Sequence, residues 1–113
     1  MIDWQRIHEL RAEIGAEDFA EVVSLFLEEA DDAVLRLLPG RPADMLEADL
    51  HFLKGAALNL GFADFAALCQ AGEHAAAQGS TDIDLGHIRA CYDASKTAFE
   101  AGLDSIASRR AAG

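Results

Sequence analysis

The chain has 113 residues and a mass of 12.1 kDa, the size of one domain spanning 1–113, and it is 51% hydrophobic and 26% charged, so it can bury a core. A formal charge of −11 disfavours a nucleic-acid groove or an anionic membrane surface, since both reward Lys and Arg. No apolar run of about 18 residues is present to span a bilayer, and no GxxxxGK phosphate loop is present to bind a nucleotide.

Alanine, leucine and glutamate dominate and β-branched residues are few, which predicts helices throughout. Asp3 caps a short first helix running to about Gly15, with Ile7, Leu10 and Ile14 on one face and Trp4 as its anchor on the rest of the fold. A second helix carries Phe19, Val22, Val23, Phe26, Leu27, Ala30, Val34, Leu37 and Leu38 at three-and-four spacing. The breaker Pro39-Gly40-Arg41-Pro42 ends it. Glu28, Glu29, Asp31 and Asp32 read as its solvated face, able to select partners by repulsion.

The third helix has the stripe Leu46, Leu50, Leu53, Ala57 and Leu60, with Gly61 as its C-terminal stop. Asp49 falls at the edge of that stripe with no evident role. A fourth helix spans Ala63 to Gln78, with Phe65, Leu68 and Cys69 inward, and Gly79-Ser80 breaks it. The last helix is predicted to start near Thr81 or Asp82, with Ile88, Cys91, Tyr92, Ser95, Phe99, Leu103 and Ile106 on one face and fraying from Ser108 to Gly113. The fold class is therefore all-α: an up-down four-helix bundle with the short N-terminal helix as its cover. Such a self-sufficient bundle fits a monomer.

His51 lies about 130° from the centre of the third helix's apolar stripe, so its imidazole is expected to face water. Lys54 and Gly55 are its neighbours one turn on, Leu58 is nearly aligned with it, and Phe52 flanks the same face. Glycine inside a helix costs roughly 1 kcal/mol against alanine. A bare position beside an exposed imidazole offsets that cost by opening the ring to a bulky visitor. Lys54 adds a cation suited to an anion bound there, and Phe52 and Leu58 add apolar docking area. Against this stands the plain alternative of a solvated histidine and a packing glycine.

The run His51-Phe52-Leu53-Lys54-Gly55-Ala56-Ala57-Leu58-Asn59-Leu60-Gly61, followed by Leu68-Cys69 and Glu73, resembles the phosphoacceptor motif of histidine-containing phosphotransfer (HPt) domains. That motif is His-x-Leu-Lys-Gly, small residues, a helix-ending Gly and a Leu/Cys/Glu signature on the next helix. The resemblance covers nearly the whole chain. It implies a phosphoryl group carried on His51 Nε2, Lys54 steadying its oxygens, Gly55 leaving room for the partner, and Glu73 accepting the Nδ1–H. It also implies a phosphorelay intermediate rather than a kinase. The partners it implies are response-regulator receiver domains and a hybrid histidine kinase, with Mg²⁺ supplied by the receiver and no cofactor bound by this chain. One departure is Gly72, where the family has a larger apolar residue before this Glu.

The alternative reading is a helical interaction module of the same fold without phosphotransfer. A histidine-kinase dimerisation domain is disfavoured because Phe52 replaces the acid that follows its histidine. A metal site is not expected, since no Glu-x-x-His pair occurs and His8, His74 and His87 lie on separate segments. Cys69 and Cys91 read as small core residues in a reducing compartment, and no signal peptide is visible, so a cytoplasmic location is expected.

Overall fold

The Asp3 side chain accepts the backbone N–H of Arg6 and so starts α1 (Trp4–Ile14). Four more helices follow: α2 (Ala16–Leu35), α3 (Ala43–Leu60), α4 (Ala63–Ala77) and α5 (Leu85–Ala112). This computed structural model describes residues 2–112, with side chains through residue 103. Among the described residues the only strand-type pairing is an isolated bridge, Ile2 with Phe62, and no helix is long and apolar enough to cross a membrane. The molecule measures 52 × 23 × 20 Å.

The helix α3 is central and packs against α1, α2 and α4. Its stripe of Leu46, Leu50, Leu53, Ala57 and Leu60 is fully buried, which follows from their spacing on one helical face. Between α4 and α5, Phe62 meets Phe99 edge-on at 5.5 Å, Phe65 meets Tyr92 at 5.1 Å, and Gly72 faces Ile88. Phe62 is fully buried at the α3–α4 junction, although no periodic pattern marks it. Between α2 and α5, the Tyr92 hydroxyl donates to Asp31 at 2.6 Å, Lys96 donates to the same carboxylate at 2.8 Å, and Arg89 donates to the Leu37 carbonyl at 2.6 Å. Trp4 stacks on Phe99 at 6.0 Å, and Gly102 makes room for it, because any Cβ there would overlap the indole.

Several expectations change. Asp31 keeps a side chain 41% exposed, as expected of that face, but it is paired across the bundle with Lys96 and Tyr92. Burial would raise its pKa, but Lys96 and Tyr92 outweigh burial and hold the carboxyl below its ordinary range. Leu38 is exposed, because α2 ends at Leu35 and the chain has turned before the Pro-Gly breaker. The start of α5 is Leu85, not Thr81 or Asp82, because Asp84 accepts the His87 N–H and caps the helix there. That helix runs on to Ala112, past the expected fraying point. The Ile106 side chain and Gly113 lie outside the described residues. Asp49 gains a role. It is 7% exposed and bound by Arg41 Nε at 2.6 Å and Arg36 Nε at 3.4 Å, so the breaker loop is tied to α3.

Gly61 has φ +71 and donates to the Ala57 carbonyl, and its own carbonyl accepts the Asp3 N–H at 2.7 Å. A Cβ at Gly61 would sit 2.5 Å from the Asp3 carbonyl oxygen. Gly61→Ala therefore combines left-handed strain with a backbone clash. It is expected to destabilise the fold by about 1–3 kcal/mol, measured as a lowered midpoint in urea unfolding.

Candidate functional site

On α3, His51 points away from the buried stripe, and its side chain is 70% exposed. On α4, Glu73 rises beside it, only 19% exposed. The two helices come close at this level because Gly72 has no side chain. A Cβ there would lie 2.9 Å from Leu50 Cδ1, and Ile83 and Ile88 fill the rest of the space. The volume of the family's larger residue is thus supplied by neighbours, and Glu73 keeps its aim at the imidazole.

His51 Nδ1 lies 2.7 Å from Glu73 Oε1. An ionised carboxylate only accepts, so Nδ1 carries the proton and donates it, leaving the Nε2 lone pair directed to solvent. Lys54 Nζ lies 2.8 Å from the other oxygen, Glu73 Oε2, as an ion pair without hydrogen-bond alignment. The carboxylate therefore bridges two residues of α3, one helical turn apart. The Lys54 ammonium, and after it the His51 N–H, outweigh burial and hold the Glu73 carboxyl below the ordinary carboxylate range.

Gly55 lies on the same face, and a Cβ built there would meet nothing within 4 Å, so the approach to His51 is open. Phe52 and Leu58 are 40% and 58% exposed. Phe52 sits toward α2, where it lines a shallow groove with Glu29, Asp32 and Arg36. Leu58 lies two turns along the helix, so His51, Lys54, Gly55 and Glu73 form one cluster and the two apolar side chains border it.

The sequence reading did not single out Asn59 or Arg6. Asn59 donates to the Gly55 carbonyl at 3.2 Å and accepts from Arg6 at 3.0 Å, which joins α1 to the exposed face of α3. No local pattern signals this, because the partners are 53 residues apart. Glu47, Gln70 and His74 line the groove on the α4 side together with Lys54 and Glu73. Among the described residues no three His, Cys, Asp or Glu side chains converge as a metal site. Cys69 is fully buried, and burial pushes its thiol up to about 12; burial also raises that of Cys91, which is partly exposed.

The family model for the Hpt domain matches residues 21–108, well over half of the chain. No curated protein and no solved structure matches the chain.

Because its pKa is depressed on folding, Glu73 contributes stability that is present above the unfolded value near 4.5 and is lost as pH falls through the folded value. In an NMR titration its side-chain carbonyl should titrate below the ordinary glutamate range. Lys54→Ala should move that midpoint upward, and by more than His51→Gln does. Equal midpoints in all three proteins would contradict the bridge.

Proposed function

The chain belongs to the Hpt domain family, whose members pass phosphoryl groups through a histidine and are carriers rather than kinases, and on that premise we propose that His51 is the acceptor in a phosphorelay. It takes the group from a receiver-domain aspartate, or from a hybrid kinase through one, and gives it to a response-regulator aspartate. The observation that carries this reading is the hydrogen bond accepted by Glu73, which holds the ring proton on Nδ1 and leaves Nε2 free at an exposed ring.

In the forward step the Nε2 lone pair attacks phosphorus in line. The N–P bond forms as the P–O bond to the aspartyl oxygen breaks, and that carboxylate leaves with the electron pair. Positive charge develops on the ring, and the Glu73 carboxylate at Nδ1–H stabilises it, so no proton has to move. Lys54 is the nearest cation. It steadies the phosphoryl oxygens after exchanging its contact with Glu73 for one with the incoming group. Gly55 admits the partner, and Phe52 and Leu58 provide apolar docking area.

The Mg²⁺ of acyl-phosphate chemistry is assigned to the receiver. Glu73, engaged on one oxygen by His51 and on the other by Lys54, is not free to hold it. The fold reading is an up-down bundle of α2 to α5 with α1 as its cover. Three contacts support it by running in opposite senses along α4 and α5: Phe62 with Phe99, Phe65 with Tyr92, and Gly72 with Ile88. Asp31 with Lys96 and Leu37 with Arg89 do the same along α2 and α5. The cytoplasm, where receivers reside, is the proposed location, and a monomer the proposed state.

The test is incubation with phosphorylated receiver domains of the source organism. Acid-labile label should appear on the protein and vanish in His51→Gln. Label that survives this change would remove the site, and no label from any receiver would favour an interaction module without chemistry. Gly55→Leu should fold normally yet slow transfer about a hundredfold, because it displaces the approaching group by an ångström or more.

A further inference from the structure

The hydrogen bond between His51 and Glu73 joins two helices, and one residue before each partner the helices touch. Leu50 precedes His51 on α3, and Gly72 precedes Glu73 on α4. A Cβ on Gly72 would lie 2.9 Å from Leu50 Cδ1, so the leucine methyl rests on the α4 backbone itself. Leu50 is fully buried, and its neighbours hold that methyl in place. Any displacement of α4 at Gly72 passes to Glu73 through a single peptide, and a hydrogen bond of 2.7 Å tolerates little of it.

Contact from α3 alone does not fix α4, because something has to oppose it from the other side. Two side chains do so at Gly72. Ile88 Cδ1 would lie 3.5 Å from the same Cβ position, and Ile83 Cγ2 3.6 Å from it. Ile88 is buried in the core on α5. Ile83 belongs to neither helix: it sits in the connection between α4 and α5, partly buried against the core. That connection has a defined shape. The Ser80 N–H donates to the Ala75 carbonyl, the Ser80 hydroxyl accepts the Asp82 N–H, and the Ile83 carbonyl accepts the Leu85 N–H. In the crevice beside Ile83, α4 presents Ala71, Gly72 and Ala75, which are small enough to let the connection come close.

We propose that Ile83 is a positioning residue for phosphoryl transfer: its Cγ2 methyl backs α4 at Gly72 against Leu50 and so holds Glu73 at hydrogen-bond distance from His51 Nδ1. This rests on the carrier reading of His51 and extends it to a residue outside both helices of the site. The β-branch is the operative feature, since Cγ2 is attached at Cβ and a single stiff torsion sets where it points. Without that methyl a gap opens behind Gly72. Packed interiors close such gaps in part by shifting their walls, and the wall here is the turn of α4 that carries Glu73. A shift of about 0.5 Å would take the bond to the long end of the usual range. The imidazole proton would then divide its time between the two nitrogens, and Nε2 has no lone pair for attack whenever it holds that proton.

The experiment compares the full chain with Ile83→Ala, Ile83→Val and Ile83→Leu. Valine keeps the Cγ2 methyl, whereas leucine keeps the apolar volume but has no branch at Cβ. The His51 tautomer is read from its ring ¹⁵N chemical shifts, transfer is followed against the concentration of a phosphorylated receiver, and urea unfolding reports stability. Ile83→Ala should lose the predominance of the Nδ1–H form. Its transfer rate at saturating receiver should fall about tenfold, with the half-saturating concentration unchanged, because the loss is one of aim rather than of docking. Ile83→Val should match the unaltered protein. Ile83→Leu should follow Ile83→Ala in tautomer and rate while unfolding near the unaltered midpoint. If Ile83→Ala does not fold, the contrast between valine and leucine decides. Tautomers and rates that track the unfolding midpoint instead of the branch, or that are the same in every variant, would overturn the positioning role. The tautomer needs no partner to be read. Absence of label from every receiver, with the expected tautomer series, would therefore overturn the carrier reading and leave the hold of Ile83 on Glu73 standing.

Discussion

One carboxylate organises the functional surface of this protein. Glu73 accepts from His51 on one oxygen and faces the Lys54 ammonium with the other. The first contact fixes which imidazole nitrogen is free, and the second keeps the carboxylate charged, because the ammonium holds its pKa down. A neutral carboxylic acid at this position would neither define the tautomer as firmly nor oppose the charge that phosphoryl transfer puts on the ring. The bridge crosses from α4 to α3, so it exists only because those helices approach closely at Gly72.

The rest of the fold sets that approach. The fully buried stripe of α3 fixes the rotation of the helix, and with it the outward direction of His51. Gly61, in a left-handed conformation, ends α3 and lets the chain return as α4 after two residues. Phe62, buried at that corner, packs on Phe99 and keeps α5 under the pair. The Asp31 contacts with Tyr92 and Lys96 close the opposite side against α2. None of these residues touches the imidazole. Each removes a freedom that would otherwise let Glu73 drift from it, which is how a rigid support preorganises a site.

Legibility in the sequence differed residue by residue. The direction of His51 was readable because helical periodicity is a local property: four leucines and an alanine define a face, and the histidine lies off it. Gly55 was readable for the same reason. The start of α5 was misjudged because Thr81, Asp82 and Asp84 all offer capping oxygens, and the choice among them depends on how Ile83 and Leu85 meet the bundle. The pairing of Asp31 was missed because its partners, Tyr92 and Lys96, are more than sixty residues away. Asp49 had no account because one of its partners sits in the Pro-Gly breaker, a segment whose path no periodicity describes.

The residues in order determined five helices, an exposed histidine and an unobstructed neighbour one turn along, since each of these follows from spacing and from turn-forming residues. Where Glu73 aims, which acids keep a partner and which remain bare, and how Gly72 is filled are matters of distance between segments remote in the chain. Those distances are set by packing of whole helices, and a periodic pattern specifies which face turns inward without specifying what it meets there.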